Sequence, residues 1–383
     1  MALTKVRTGG LTDDAVTTDK LYTPNLGRRN IVINGAMQVA QRSTSETVGA
    51  STGYFTLDRF KVSATTDGRA TMSQDSDAPN GFGNSLKFQC TTADTSISAN
   101  DIFSLNTRFE GQDLQRFKKG TSDAEKMTIS FYVKANASAT YVFELYDIDN
   151  ARQISQSFSV TTSWNRVTLT FDGDTTGAFG DDNGSSLIAQ IWLHGGSTYT
   201  SGTLSTSWSS VTNANRAVGI SSFFDSTDRT FFITGLQMEV GSAATPFEHR
   251  SFGEELTLCQ RYYQKAGEYS IAPSNGSNST SFSSFSEPLG NCVQWGGTPA
   301  GHCPIYLPVR MRVKPTVVRY GNSSGYLGYI ASGGSSPTSD NVLAFHQNLF
   351  FTAQTEQMIG INNQVTGSTI WGVFGGWTAD AEL

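Results

Sequence analysis

From about residue 28 to residue 250, apolar and polar positions alternate along the chain. In KMTISFYVKA, Met127, Ile129, Phe131 and Val133 share one face; in YVFELY the set is Tyr141, Phe143 and Leu145. RVTLTFDG gives Val167, Leu169 and Phe171, and FFITGLQMEV gives Phe232, Leu236, Met238 and Val240. Strict alternation predicts strands that bury one face and wet the other, as in antiparallel sheets with a single packed side. Two such sheets face to face make a sandwich or jelly roll. Loops rich in Gly, Ser and Asp, such as DGDTTGAFGDDNGSS, separate the strands.

The period changes at SFGEELTLCQRYYQK, residues 251–265. Ser251 and Glu254 fit a capping box, and Glu254 and Glu255 suit the positive end of a helix dipole. Leu256, Cys259, Tyr262 and Tyr263 then recur at helical spacing, which predicts a linking helix with a buried stripe. Period-two segments resume in PIYLPVRMRV, TVVRY, NVLAFHQNLFF and STIWGVF. Residues 1–27, with Leu11, Val16 and Leu21 as apolar anchors, are too few to bury a core and, if ordered, must borrow one from a partner or from copies of the same chain. The expected architecture is all-β: an N-terminal docking segment (1–27), an antiparallel jelly-roll or β-sandwich domain (28–250), a linking helix (251–265) and a smaller C-terminal β-sandwich domain (266–383).

Composition sharpens this picture. With 38 glycines, 24 phenylalanines, 13 tyrosines and only 16% charged residues, the chain reads as an all-β surface protein. A net charge of -6 argues against nucleic acid or an anionic membrane as partner, since both demand a basic patch. No stretch approaches the roughly 20 apolar residues that cross a bilayer, so no membrane insertion is expected. MALTKVRTGG lacks the apolar core of a secretory signal, so synthesis in a cytosol is expected. Cys90, Cys259, Cys292 and Cys303 are scattered and read as free thiols, although Cys292 and Cys303 could pair outside a cell.

The candidate chemistry is sparse. Glu248, His249, Glu254 and Glu255 could do acid–base work, but each also has a capping or pairing role that needs no substrate. Glu248, Arg250, Ser251, Glu254 and Arg261 are therefore read as bracing between domains. Asp172, Asp174, Asp181 and Asp182 could hold calcium, but their spacing does not match an EF-hand loop and a solvated turn is the expectation. Cys292, His302 and Cys303 lack the paired spacing of a structural zinc site. No nucleophile-elbow, phosphate-loop, zincin or dinucleotide motif appears, so no enzyme, metal or cofactor is assigned. Sugar rings present flat C–H faces that suit exposed aromatic rings. Tyr199, Trp208, Tyr326 and Tyr329 are the candidates for that contact. Trp192 and Trp371, inside apolar runs, read as core, whereas Trp295 and Trp377 stay open between the two readings.

IVINGAMQVAQRSTSETVG…GYFTLDRF (31–60), VTLTFDGDTTGAFGDDNGSSLIAQIWL (167–193) and ITGLQMEVGSAATPFEHRSFGEELTLCQRYYQ (233–264) resemble a domain widespread in bacteriophage tail-fibre and related virion-surface proteins. WTADAEL resembles that family's usual end, and GLTDDAVTTDKL resembles the short attachment segments that precede it. The resemblance implies a jelly roll like those of carbohydrate-binding modules, a short helix, a C-terminal β-domain and a homotrimer. Weakly polar strand surfaces, which closed symmetry would cover, agree with an oligomer. The implied role is a short tail fibre on the virion surface. Residues 1–25 would dock on a tail, baseplate or adaptor protein, and the rest would bind a host surface polysaccharide. The alternatives are a capsid-decoration or head-fibre protein and, in another class, a glycan-cleaving spike.

Overall fold

Alternation at this length has one cheap solution: pair the strands and press the apolar faces together. A computed structural model describes residues 28–275, 301–320 and 369–383 throughout, with the segments 287–290, 293–294, 327–332, 342–346 and 349–363. Leu11, Val16, Leu21, Cys292, Trp295 and Tyr326 lie outside the described residues.

The first unit runs through β1 (Ser45–Val48), β2 (Gly53–Tyr54), β3 (Lys61–Thr65), β4 (Arg69–Asp75), β5 (Ser85–Thr92), β6 (Ile102–Glu110) and β7 (Met127–Ala135). It continues with β8 (Ala139–Asp147), β9 (Arg152–Val160), β10 (Asn165–Phe171), β11 (Ser185–Gly195), the single turn α1 (Ser197–Thr200), β12 (Ser209–Ser210) and β13 (Thr230–Val240). One sheet has the order β1-β4-β5-β13-β7-β10 and the other β12-β9-β8-β11-β6-β3-β2, with antiparallel pairing in both. The all-β sandwich is as expected.

Phenylalanines from the two inner faces interleave. Phe131 of β7 stacks on Phe143 of β8 with ring centroids 5.6 Å apart, and Phe88 of β5 meets Phe103 of β6 edge-on at 5.1 Å. All four are buried, each contributing about 2–3 kcal/mol relative to an exposed ring. The sets Met127/Ile129/Phe131/Val133, Tyr141/Phe143/Leu145 and Val167/Leu169/Phe171 all enter this core.

The set expected for β13 is corrected. Phe231 and Ile233 face the core, then Leu236 and Met238, while Phe232 faces outward and Val240 is 38% exposed. A bulge between Thr234 and Gln237 shifts the parity, with Gly235 at φ 64. It also frees the Leu236 N–H, which donates to Gly35 O at 3.0 Å. Residues 30–35 thereby run along β13, and Ile31 N–H donates to Met238 O.

The linking helix is shorter than expected. α2 spans Phe252–Gln260, not 251–265, because Tyr263 already starts a strand. Cys259, Tyr262 and Tyr263 are buried as the stripe required, with Leu256 half-buried. The second unit contains β14 (Tyr263–Lys265), β15 (Glu287–Gly290), β16 (Val293–Gln294), β17 (Gly301–Tyr306) and β18 (Thr316–Tyr320). It ends with β19 (Leu327–Ser332), β20 (Val342–His346), β21 (Leu349–Thr355), β22 (Met358–Asn363) and the long β23 (Thr369–Asp380). β23 pairs with β14, β15, β18 and β19, and β16-β17-β22-β21 form a second sheet. Leu307, Met311, Ile359, Trp377 and Ala379 lie in this unit's core, which places Trp377 among packing residues.

Candidate functional site

The charged cluster at the seam converges, and its partners are structural. Glu248 accepts from the backbone N–H groups of Arg29 (2.8 Å) and Asn30 (2.7 Å). Arg250 donates to the carbonyls of Asn30 and Val32 and pairs with buried Glu255 at 3.2 Å. Ser251 caps α2 by accepting from the Glu254 N–H, but the Glu254 carboxylate turns to Arg28 instead of closing a capping box. Arg261 forks onto Glu110 at 2.7 and 2.6 Å, and the Tyr262 hydroxyl adds a third bond at 2.5 Å. Burial alone would raise the Glu110 pKa; the bonds from Arg261 and Tyr262 outweigh it and hold the carboxyl below the usual range.

Direct bracing between the two units uses other residues, which sequence reasoning passed over. Arg59, itself left-handed at φ 71, pairs with Glu382 and lies 3.4 Å from the Tyr262 ring centroid. Arg42 sits 3.7 Å over Tyr263 and reaches Asp58, Asp380 and Glu382. Burial opposes charge on both arginines, but Glu382 leads the carboxylates that keep them protonated. Burial pushes the Asp58 carboxyl up to about 6 against the pull of Arg42. Arg59 and Glu382 are 323 positions apart, so no local pattern could pair them.

The aspartate loop after β10 belongs to the same seam. Asp174 is buried and taken by Arg152 (2.6 and 3.0 Å) and Lys119 (3.1 Å), while Asp172 pairs with Lys126 at 2.9 Å. Asp182 closes its own turn by accepting from the Gly184 N–H, and Asp181 is exposed. Next to it, Asn183 donates to Arg312 O and accepts from the Arg312 guanidinium, so the loop docks on the second unit. Its acids thus go to separate partners and do not gather around one ion.

The two aromatic candidates whose side chains are described, Tyr199 and Trp208, are not brought together either. Tyr199 is half-buried against Trp192, centroids 5.1 Å apart, just past the end of β11. Trp192 is buried, as its apolar run required, and its N–H donates to Glu144 at 2.7 Å. Trp208 lies towards the other end of that sheet and donates to Asp172 O at 2.7 Å, with one face near Lys119. Tyr329 and Trp371 are described only as backbone positions, on β19 and β23.

A different surface does gather rings. On the outer face of the first sheet, Lys87, Phe232 and Lys134 stand in one row across β5, β13 and β7. Lys134 lies 4.7 Å from the Phe232 centroid and 5.4 Å from that of Trp164, and pairs with Asp77. Trp164 donates its N–H to the same Asp77 at 3.0 Å. The bonds from Lys134 and Trp164 hold Asp77 below the usual carboxylate range. One strand position along, half-buried Tyr132 meets Phe82 at 5.4 Å, and Phe82 meets Phe247 and exposed His249 at 5.0 and 5.1 Å. Period two does place Tyr132 and Lys134 opposite Phe131 and Val133. Phe82 and Trp164 come from turns, where no periodicity marks them.

No protein-family model matches the chain, and no curated protein matches it in sequence. Among solved structures, it is similar to the enzymatically active domain of bacteriophage CBA120 tailspike protein 4, with 13% identity and a TM-score of 0.29. That match covers 55% of this chain and 21% of the tailspike chain. A family 11 carbohydrate-binding module from Clostridium thermocellum, in complex with a β-1,3-1,4-mixed-linked tetrasaccharide, matches with 9% identity and a TM-score of 0.26, over 53% of this chain and 98% of the module. A structure titled for CBM4 gives 11% identity and 0.27, over 54% and 97%. These scores are too low to carry a residue role across. The outer aromatic face stands on its own geometry: half-buried Phe82, Tyr132, Trp164 and Phe247 around a buried Phe232, with a carboxylate and two ammonium groups among them.

Proposed function

We propose that this chain is a bacteriophage virion-surface protein, a trimeric short tail fibre that holds a host surface glycan on the outer face of its first sheet. The observation that carries the assignment to the virion surface is where the resembling residues sit. Runs 31–60 and 233–264 meet at the seam, through Asn34 with Glu255, Arg250 with Asn30 and Val32, and Gln41 with Tyr263 O. Two of the runs that resemble that family thus pack on each other beside the junction of the two β-units.

The glycan role rests on Trp164, Tyr132 and Phe82. Pyranose C–H faces pack on such rings, while Asp77, Lys87 and Lys134 can bond hydroxyl or acidic groups. A shallow strip binds weakly, and three copies on one particle multiply that binding. Residues 1–25 would dock on the tail.

Labelled protein should adhere to host cells and to their purified surface polysaccharide, and native mass spectrometry should return a multiple of three chains. Trp164→Ala should weaken adhesion about tenfold or more, as loss of one stacked ring implies, with oligomer and unfolding midpoint retained. Unchanged adhesion in Trp164→Ala would remove the outer face from the reading. Binding to emptied capsids without cell adhesion would instead mark a decoration protein, and oligosaccharide release would mark a spike.

A further inference from the structure

At the end of the sandwich remote from the seam, the loop between β5 and β6 folds back over the last residues of β11. The two ends are separated by the length of β6, roughly 30 Å. Three potential ligand atoms gather there. Asp94, Asp101 and His194 each offer one, and all of these lie within 4.8 Å of one another. Among the described residues they are the one such group of three.

The histidine makes this more than an acidic turn. Its side chain has 0% exposure, and its Nε2 has no hydrogen-bond partner. That nitrogen faces Asp94 Oδ2 at 3.7 Å, too far for a hydrogen bond. The other ring nitrogen, Nδ1, is 2.8 Å from Ser222 Oγ, which also accepts from the Phe224 N–H. With its proton on Nδ1 and bonded to Ser222, the ring turns a bare Nε2 lone pair towards two carboxylates.

A lone pair and two carboxylates that face one another call for a cation between them. Metal–ligand bonds of about 2.0–2.2 Å in tetrahedral geometry put neighbouring ligand atoms about 3.4 Å apart, close to the Nε2–Oδ2 spacing.

We propose that Asp94, Asp101 and His194 bind one divalent transition-metal ion of the zinc class. An imidazole donor beside two carboxylates favours zinc over calcium or magnesium, which prefer all-oxygen shells. The other bonds present leave the set usable. Thr66 Oγ1 donates to Asp94 Oδ2 at 2.7 Å, and the Ser98 N–H donates to Asp101 Oδ2 at 2.6 Å, so each orients a carboxylate. Asp101 is half-buried, which opens a side for a water as fourth ligand. The ion would fasten the 93–101 loop to β11, where Gly196 N–H already donates to Asp101 O and Thr198 N–H to Ala99 O.

The test is calorimetric titration of zinc chloride into the full chain after EDTA treatment and dialysis, with calcium chloride as a parallel arm. One zinc per chain should bind, calcium at least a hundredfold more weakly, and zinc should raise the unfolding midpoint. His194→Gln should weaken zinc binding tenfold or more. Should that buried change disturb folding, Asp101→Asn on the loop should weaken binding likewise with the circular dichroism spectrum retained. Absence of zinc binding in the folded parent, unaltered binding in a folded variant, or calcium binding as tightly as zinc would each overturn the assignment.

Discussion

Single residues at the seam carry charge where water is scarce, and Asp58 shows the consequence. Its carboxyl accepts from the Gln41 N–H (3.1 Å) and Gln41 Nε2 (2.5 Å), has no exposed surface, and holds its proton up to about 6. Unfolded, it releases that proton near 3.8. Between those values the folded state binds more protons, so raising the pH weakens folding through this residue. Asp58→Asn removes the effect. The stability of that variant relative to the parent should climb from pH 4 to pH 6 and level off above, by about 3 kcal/mol over some two pH units. Urea melts at half-unit pH steps check this, and a flat difference would show Asp58 ionised throughout. Glu110 acts with the opposite sign: held low, it stabilises above the ordinary carboxylate range and is lost in acid. None of this was legible in the sequence, where Asp58 and Arg59 are two letters in TLDRF. Ser251 was legible as a cap because its partner is three residues away.

At the level of the element, local period carried the reading until a backbone irregularity intervened. Strands β7, β8 and β10 keep their parity from end to end, and their inward residues were readable one by one. β13 does not, because parity passes through Gly235, and a bulge costs the pattern one residue without leaving a hydrophobic trace. α2 was readable at its start, where the cap is local. Its end is set by pairing of Tyr263 with Asp380 across the molecule, so no signal near residue 260 could place it. The outer aromatic strip follows the same rule: its strand residues were visible and its turn residues were not. Gly235 tests the bulge. A Cβ there would lie 2.7 Å from Phe82 Cζ and 3.0 Å from Tyr132 Cδ2, at a left-handed φ that side chains disfavour. Gly235→Ala should destabilise the protein by about 1–3 kcal/mol and, by displacing Phe82, weaken glycan adhesion. A neutral urea midpoint would mean that the turn adopts another conformation at no cost.

Among the described residues, the two β-units meet through ionic and backbone contacts, and the buried apolar clusters described in each are separate. Glu382 is the pivot. It takes Arg59 and Arg42 from the first unit, and its carbonyl accepts from Arg312, which also donates to Asn183 O in the aspartate loop. Close by, the Ala381 N–H donates to Tyr262 O, and the Tyr54 hydroxyl donates to Leu383 O. A weld of this kind is directional: it fixes the angle between units. It is also fragile to loss of one partner, because removing Glu382 leaves two buried guanidiniums without their main counter-charge. Breaking such a buried pair costs about 3–5 kcal/mol, against a few tenths for an exposed one. The parent should therefore unfold with its two units coupled, giving coincident curves from far-ultraviolet circular dichroism and tryptophan fluorescence. Glu382→Ala should lower the midpoint and separate the curves. Coincident curves at an unshifted midpoint in that variant would mean that the units are joined by something other than this charge.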